Sequence, residues 1–378
     1  MAYLLDGFVN MMLSASGNEL PVGPSIIKSL SIIQNEQNMT PLLQATVEDI
    51  TGLHSQKNAF ADGAPIVVNI GPGNGKSKPS TFRRFNLPDV KNGHNGDLVT
   101  FSAQLDVPKM RDVQNKSHKD MSSSDIMRKF AGELGLPFEG HTSDDKMTWL
   151  PTNRPLAQWL RHVADHGYAG AQSAMHLTMG GIGDGVWKLL YKDIVQQLKA
   201  PAIARMVSDG FSKTSDITIK ACSWRSQSGT MNASGGYNGQ TQQVDKTGKL
   251  NLFKQIDVAK SMLSLDINSI VKAAVADLPT FFLPMDTGNT HANFAKAKHQ
   301  NERIKLTLTS FLDVLTMDYT NLKVLDPVDV LIMQGDKVNR VQSGRYLVKS
   351  RTQFVKGHNY GERIVLQSQG ANAGSGLM

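Results

Sequence analysis

Residues 66–80 read IVVNIGPGNGKSKPS: an apolar run, a glycine-rich turn, then Gly-Lys-Ser. Two folds compete for that stretch. A phosphate-binding loop, spelled G-x-x-x-x-G-K-[S/T], would make an α/β nucleotide hydrolase, with backbone N–H groups around the phosphates and a helix starting at the lysine. A turn between two strands would make a β protein. Gly75, Lys76 and Ser77 fit the end of the loop, but the opening glycine belongs at position 70, which is Ile70, and Gly71 leaves the loop one residue short. The sequel SKPSTFRRFNLPDV carries Pro79 and Pro88, and no phosphate-capping helix runs through both. The turn reading is preferred.

Working outward, residues 24–107 read as short strands between polar turns. SIIKSLSIIQ, LLQATVEDIT, APIVVNI, TFRRFNL and DLVTFSAQLDV are strand-length, rich in β-branched and aromatic residues, and bounded by Gly, Pro, Asn and Asp. Five such strands in so short a span indicate a small antiparallel barrel or sandwich. The grammar then changes. SSSDIMRKFAGELGLP places Ile126, Met127, Phe130, Ala131 and Leu134 at helical spacing, and Gly135 and Pro137 stop the helix. NRPLAQWLRHVADHGY repeats the pattern, with Asn153 as the expected cap, Pro155 in the first turn and a stripe of Leu156, Trp159, Leu160 and Val163. The strands SAMHLTM and VWKLLYKDI follow around the turn GGIGDG.

Beyond residue 206, DITIKACSW and LNLFKQIDV flank a Gly/Ser/Asn/Gln-rich excursion, and helices are expected at DINSIVKAAVADL and HANFAKAKHQNER. The last third returns to β in IKLTLTSFLDVLTM, VDVLIMQGD, GRYLVKSRTQFV and ERIVLQSQ. The expected fold class is mainly β with an α+β insert: two small antiparallel β-barrel domains of the tube type plus a middle α+β domain. The expected division is a first barrel at 1–109, the α+β domain at 110–205, a loop-rich extension with helices at 206–303 that partly completes its neighbours, a second barrel at 304–370 and a flexible tail at 371–378.

Length and composition agree with several compact units, since 378 residues with 40% hydrophobic content can bury real cores. The net charge of +7 permits contact with acidic partners, yet no run of basic residues marks a nucleic-acid site. The single cysteine, Cys222, excludes an internal disulfide and is expected as a buried strand residue. MAYLLDGFVNMML lacks a basic leader and reads as structure rather than as a signal peptide, and no apolar stretch is long enough to span a membrane.

Candidate chemistry is sparse. His162 and His166 share the i, i+4 spacing of H-E-x-x-H, but Val163 stands where the general-base glutamate belongs and no third ligand is identifiable. Surface or cap-region histidines are the expectation. Gly180, Gly181, Gly183 and Gly185 do not fit G-x-G-x-x-G and precede a strand, so a hairpin turn is expected. Cys222 has no recognisable partner and there is no G-x-S-x-G. Glu133, Glu139, Asp144 and Asp145 leave a glycosidase-type pair open, because such pairs form in space and not in sequence. No catalytic residue, metal or cofactor is assigned, and a non-enzymatic structural or binding role is expected.

Three stretches carry a family resemblance. The opening SIIKSLSIIQNEQNMTPLLQATVEDITG with APIVVNI, the block FAGELGLPFEG…WLPTNRPLAQWLRHVADHGY, and SGRYLVKSRTQFVKGHNYGERIVLQSQ together resemble the central baseplate hub proteins of contractile phage tails and the related base of type VI secretion spikes. Val163, Ala164, Gly167 and Tyr168 match the way that family ends its helix. The resemblance implies a homotrimer forming a pseudo-sixfold ring between the hexameric tail tube, or its initiator protein, and a trimeric spike. Its surroundings would be baseplate wedge proteins, with the tape-measure protein and the passing genome in its lumen and no sequence-specific nucleic-acid binding. The implied location is the virion baseplate, assembled in the host cytoplasm. Residues 225–248 and 279–290 have no family equivalent, and no lysozyme-like domain or repetitive spike follows. The alternatives are another tail-tip protein, distal or tube-end, and a tail-associated cell-wall hydrolase.

Overall fold

The computed structural model describes residues 9–15, 18–23, 25–50, 52, 63–70, 79–85, 88–92, 96–151, 153–170, 173–181, 186–226, 240–244, 250–253, 280–283, 297, 301–302, 304–305, 308–357 and 359–368. The N-terminal region holds β1 (Val9–Ala15), β2 (Asn18–Val22), β3 (Ile27–Asn35), β4 (Leu42–Asp49), β5 (Pro65–Ile70), β6 (Ser80–Arg84), β7 (Asp89–Asn92) and β8 (Asp97–Leu105). The insert follows with β9 (His118–Met121), α1 (Ser123–Glu133), β10 (Phe138–Gly140), β11 (Met147–Trp149), α2 (Leu156–Asp165), β12 (Met175–Gly180), β13 (Lys188–Asp193) and α3 (Ile194–Lys199). Then come β14 (Ala204–Ser208), β15 (Ile217–Ile219) and β16 (Ala221–Ser226), and a separate small sheet of β17 (Gln240–Val244), β18 (Leu250–Phe253) and β19 (Thr280–Leu283). The C-terminal region holds β20 (Ser310–Thr316), β21 (Pro327–Leu331), β22 (Met333–Gln334), β23 (Lys337–Val338), β24 (Gly344–Lys356) and β25 (Asn359–Ser368).

The fold is mainly β with an α+β insert. In the first β region the ladder runs β3-β4-β8-β6-β5-β1-β2, every pair antiparallel. Its strands alternate as a half-buried sheet requires: Leu30 and Ile32 on β3, Leu43, Ala45 and Val47 on β4, and Val99, Phe101 and Ala103 on β8 face the core. In the second, the ladders from β14 pass through the consecutive strands β15 and β16 to β20, β25, β24 and β21, and return to β14. That circuit is a closed barrel, around Leu312, Val314, Val330, Tyr346, Val348 and Ile364.

Several expectations need correction. The second barrel is not purely antiparallel, because β14 pairs in parallel with both β15 and β21. The pairing with β21 spans a long crossover, the chain from 209 to 326. Asn153 does not cap α2. It sits in the left-handed region at φ 50°, Pro155 takes the cap position, and Leu156 N–H donates to the Asp112 carbonyl at 2.8 Å from the preceding segment. Cys222 is exposed, because it lies on β16, whose residues from Ala221 to Ser223 all face solvent. Ile304 and Lys305 are helical and do not begin the strand, which starts at Ser310.

Of the excursion at 225–248, residues 227–239 and 245–248 lie outside the described residues, as do the helix expected at 266–278, most of that at 291–303, the N-terminal residues 1–8 and the tail. No helix among the described residues is long and apolar enough to cross a membrane.

The insert is organised by its two longer helices. Ser122 caps α1 by accepting from Asp125 N–H at 3.1 Å. The expected stripe of α2 is buried, with Trp159 fully enclosed against Phe130 of α1 and His118 of β9, and its indole N–H donating to the Leu150 carbonyl at 2.9 Å. Asn301 closes the C-terminal end of α2: its amide donates to the carbonyls of Asp165 and Gly167, each at 2.9 Å. Trp159→Ala should cost about 3–5 kcal/mol, the usual penalty for emptying a buried aromatic site. Urea unfolding followed by intrinsic fluorescence measures it, and a cost under about 1 kcal/mol would remove Trp159 from the centre of the insert.

Candidate functional site at the barrel junction

Strand β24 serves both barrels. Pro327–Val330 of β21 pair with its first residues, 344–347, and Ser29–Asn35 of β3 pair with its last, 350–356, while β25 covers its other edge. A register shift lies between Val348 and Ser350. The extra residue reverses which positions point inward. Before the bulge, Tyr346 and Val348 enter the core of the second barrel; after it, Arg351, Gln353 and Val355 are the buried positions, and Val355 joins the core of the first barrel and insert. Glu36 N–H donates to the carbonyl of the bulged Lys349 at 3.0 Å, which fastens the bulge to the end of β3.

Arg351 is fully buried and uses its whole fork. Nε donates to Glu362 Oε2 at 2.8 Å, and Nη2 to Glu362 Oε1 and the Thr320 carbonyl, both at 2.7 Å. Nη1 donates to the carbonyls of Leu322 at 2.9 Å and Gly181 at 3.2 Å. Glu362, equally buried, also accepts from Thr320 N–H at 3.0 Å, from Thr320 Oγ1 at 2.6 Å and from the Tyr360 hydroxyl. Burial opposes the arginine's charge, but the charge of Glu362 and its hydrogen bonds outweigh it and hold the guanidinium pKa above its usual value. Opposite Arg351 in register stands Gln34 of β3, which exchanges two hydrogen bonds with Gly181: amide to carbonyl at 2.9 Å and backbone N–H to Oε1 at 3.1 Å. Gly181 is thus gripped by one residue from β3 and one from the shared strand β24. A Cβ there would stand 2.9 Å from the Trp187 ring, so the close approach requires glycine.

Around this point the insert is fixed to both sides. Thr178 Oγ1 donates to the carbonyls of Asn35 and Asn38, Met179 N–H to that of Met39, and the Trp187 indole to Ser80 Oγ. Toward the second barrel, Glu139 of β10 meets Lys323 at 2.7 Å, Lys192 at 2.9 Å and Lys188 at 3.3 Å, and Lys192 also reaches Asp326 at 3.2 Å. Burial alone would raise the Glu139 pKa; hydrogen bonds and charge from Lys323 and Lys192 overcome it and bring it down to about 2.

The residues singled out from sequence do not converge on a reaction centre. Asp145 is buried at the start of α1, accepting from Ser123 N–H at 2.7 Å, Ser143 Oγ at 2.8 Å, Tyr168 N–H at 2.9 Å and the Ser123 hydroxyl. Burial raises its pKa against those bonds. The Gly167-Tyr168 pair of the helix ending belongs here, since a Cβ on Gly167 would sit 2.0 Å from the Tyr191 hydroxyl. Asp144 and Glu133 are exposed, and Glu139 is committed to its lysines. His166 lies in the cap region, as expected: it is the C-cap of α2, buried beside Asn301, with Nδ1 2.7 Å from the His162 carbonyl. Among the described residues no group of three His, Cys, Asp or Glu is placed to hold a metal ion. Lys76, Ser77, Gly183 and Gly185 lie outside the described residues. Arg351, Glu362 and Gln34 escaped the sequence reading. Their signal was polar residues at inward positions, in RTQFV beside Val355 and in YGERIVL beside Ile364 and Leu366.

Two measurements probe the junction. Arg351→Met strands a buried carboxylate and should cost about 3–5 kcal/mol, while the double change with Glu362→Leu should recover part of that loss. A double variant as unstable as the single would refute the pairing as the reason. For the lysine cluster, the folded pKa of Glu139 lies below its unfolded value, so its contribution is present above about pH 4.5 and fades as the pH falls toward 2. Glu139→Gln should therefore cost about 1–2 kcal/mol near neutrality, after discounting for solvent, and progressively less in acid. Parallel stability curves for the two proteins across that range would contradict the assignment.

No family model matches the sequence, and no curated protein matches it significantly. Solved structures do. The tail protein from Neisseria meningitidis MC58 superposes with a TM-score of 0.56 at 10% identity, covering 97% of this chain and 98% of that one. The 43 kDa tail protein of prophage MuSo2 from Shewanella oneidensis gives 0.56 at 10% identity, covering 97% and 99%. At such identity the likeness lies in the path of the backbone, and it includes the insert and both β regions. Along nearly its whole length, the chain has the fold of these two tail proteins.

Proposed function

We propose that the chain is a structural hub of a contractile phage tail, at the point where the tail tube gives way to the spike. Three copies, each bringing two joined β units, would close into a ring of approximate sixfold symmetry. One end would meet the hexameric tube or its initiator, the other a trimeric spike, with wedge proteins outside and the tape-measure protein and genome in the lumen. In this reading the protein acts in the virion baseplate, is assembled in the host cytoplasm, and catalyses nothing. The observation that carries the proposal is the sheet continuity through β3 and β24, which holds the two β units in one fixed relation. A ring that must present near-equivalent surfaces to a sixfold partner needs that relation to be rigid. The full-length likeness to two tail proteins supports the same role.

The test is the native mass of the chain, alone and co-expressed with tube and spike proteins of the same tail. A trimer, about 124 kDa or three times the 41.3 kDa chain, is expected in at least one sample. A chain that stays monomeric and binds neither partner would overturn the hub.

A further inference from the structure

A groove runs between the first β region and α2, with a volume of about 720 Å³. That is within the range of about 300–1,000 Å³ typical of ligand sites. The hub role does not account for it. Its floor is apolar, with Met39 and Met110 buried beneath it, and Phe85 stands at its edge with 53% of its surface exposed. Along the α2 side, Arg154, Arg161 and Asp165 succeed one another at four- to seven-residue intervals, and Arg111 also lines the groove.

The charges do not balance within the groove. Arg111 is paired with Asp106 at 3.0 Å, while Arg161 donates to the Gln37 carbonyl and has no carboxylate within ion-pair distance among the described residues. Arg154 is exposed at the mouth. Against these three arginines the described lining residues set one carboxylate, Asp165; His162 and His166 add no negative charge. Exposed Phe, buried Met and Arg together are the composition enriched at the centres of protein interfaces. A complementary occupant carries spaced carboxylates and an apolar anchor. Nucleic acid fits less well, because Asp165 stands in the wall and Arg111 already holds Asp106, which it shares with Arg83, whereas a phosphate backbone needs a run of free cations.

We propose that this groove docks an acidic segment of a partner protein, with an apolar side chain seated on Met39, Met110 and Phe85 and a carboxylate paired with Arg154 and Arg161. The site lies apart from the barrel junction and does not depend on the hub reading.

Random dodecapeptides displayed and selected on the immobilised full chain provide the probe, with Phe85→Ala and Arg154→Glu as counter-screens. Both positions are exposed, so each variant should keep the wild-type unfolding midpoint. Enriched peptides should carry Asp or Glu beside Leu, Phe or Met, and should bind either variant about tenfold or more weakly. No enrichment, or peptides indifferent to both variants, would overturn the proposal. Displacement of the peptides by oligothymidylate at equal or lower concentration would overturn it too, and would reassign the groove to phosphate. A ring that failed to form with peptide binding intact would count against the hub alone.

Discussion

Removing a guanidinium and a carboxylate from water costs several kcal/mol for each ion, and their mutual attraction repays it only when every remaining donor and acceptor finds a partner. Arg351 and Glu362 meet that condition with groups from the strand bearing each, the segment around Thr320 and Leu322, and the insert at Gly181. The arrangement tolerates no slippage. A one-residue shift of β24 against β3 would put Arg351 and Gln34 on opposite faces and break their common hold on Gly181. What an apolar pair could have supplied in stability, this pair supplies in register, and the register sets how the two β regions meet.

The bulge at Lys349 solves a geometric problem that follows from sharing one strand. A straight β24 would keep a single parity and could line only one core correctly. With the extra residue, Tyr346 and Val348 serve one core, and Val355 serves the other. The insert occupies the remaining space at this corner. Thr178, Met179 and Trp187 attach it to the first β region, and Glu139 with its lysines attaches it to the second. It therefore acts as a brace across the joint, and its helices α1 and α2 pack around Trp159 in a core continuous with that of the first β region and Val355.

Much of this was legible in the residues. Alternation in SIIKSLSIIQ and DLVTFSAQLDV located β3 and β8, and the stripe from Leu156 to Val163 located α2, because in each case one face is buried and the period survives. The pieces that were not legible depend on distant chain. The acceptor at the start of α2 is a carbonyl of Asp112, so no local cap marks it. Parallel pairing of β14 with β21 leaves no signature in either short strand. The junction was hidden for a similar reason: Arg351, Gln34 and Gly181 look like ordinary polar and turn residues until the sheet brings them together.

Sharing β24 also sets a timetable for synthesis. The edge of β3 closes only on residues 350–356, so a ribosome that has made β3 must add roughly 315 more residues before the partner exists. At about 5–20 residues per second that is on the order of 15–60 s. The closed barrel waits as well, since β14 must hold its place until β21, β24 and β25 arrive. Neither β region can finish before the C-terminal hairpin, so a prematurely ended chain lacks both at once. Such a fragment would expose open sheet edges to chaperones and proteases instead of passing as a half-competent subunit into a symmetric assembly.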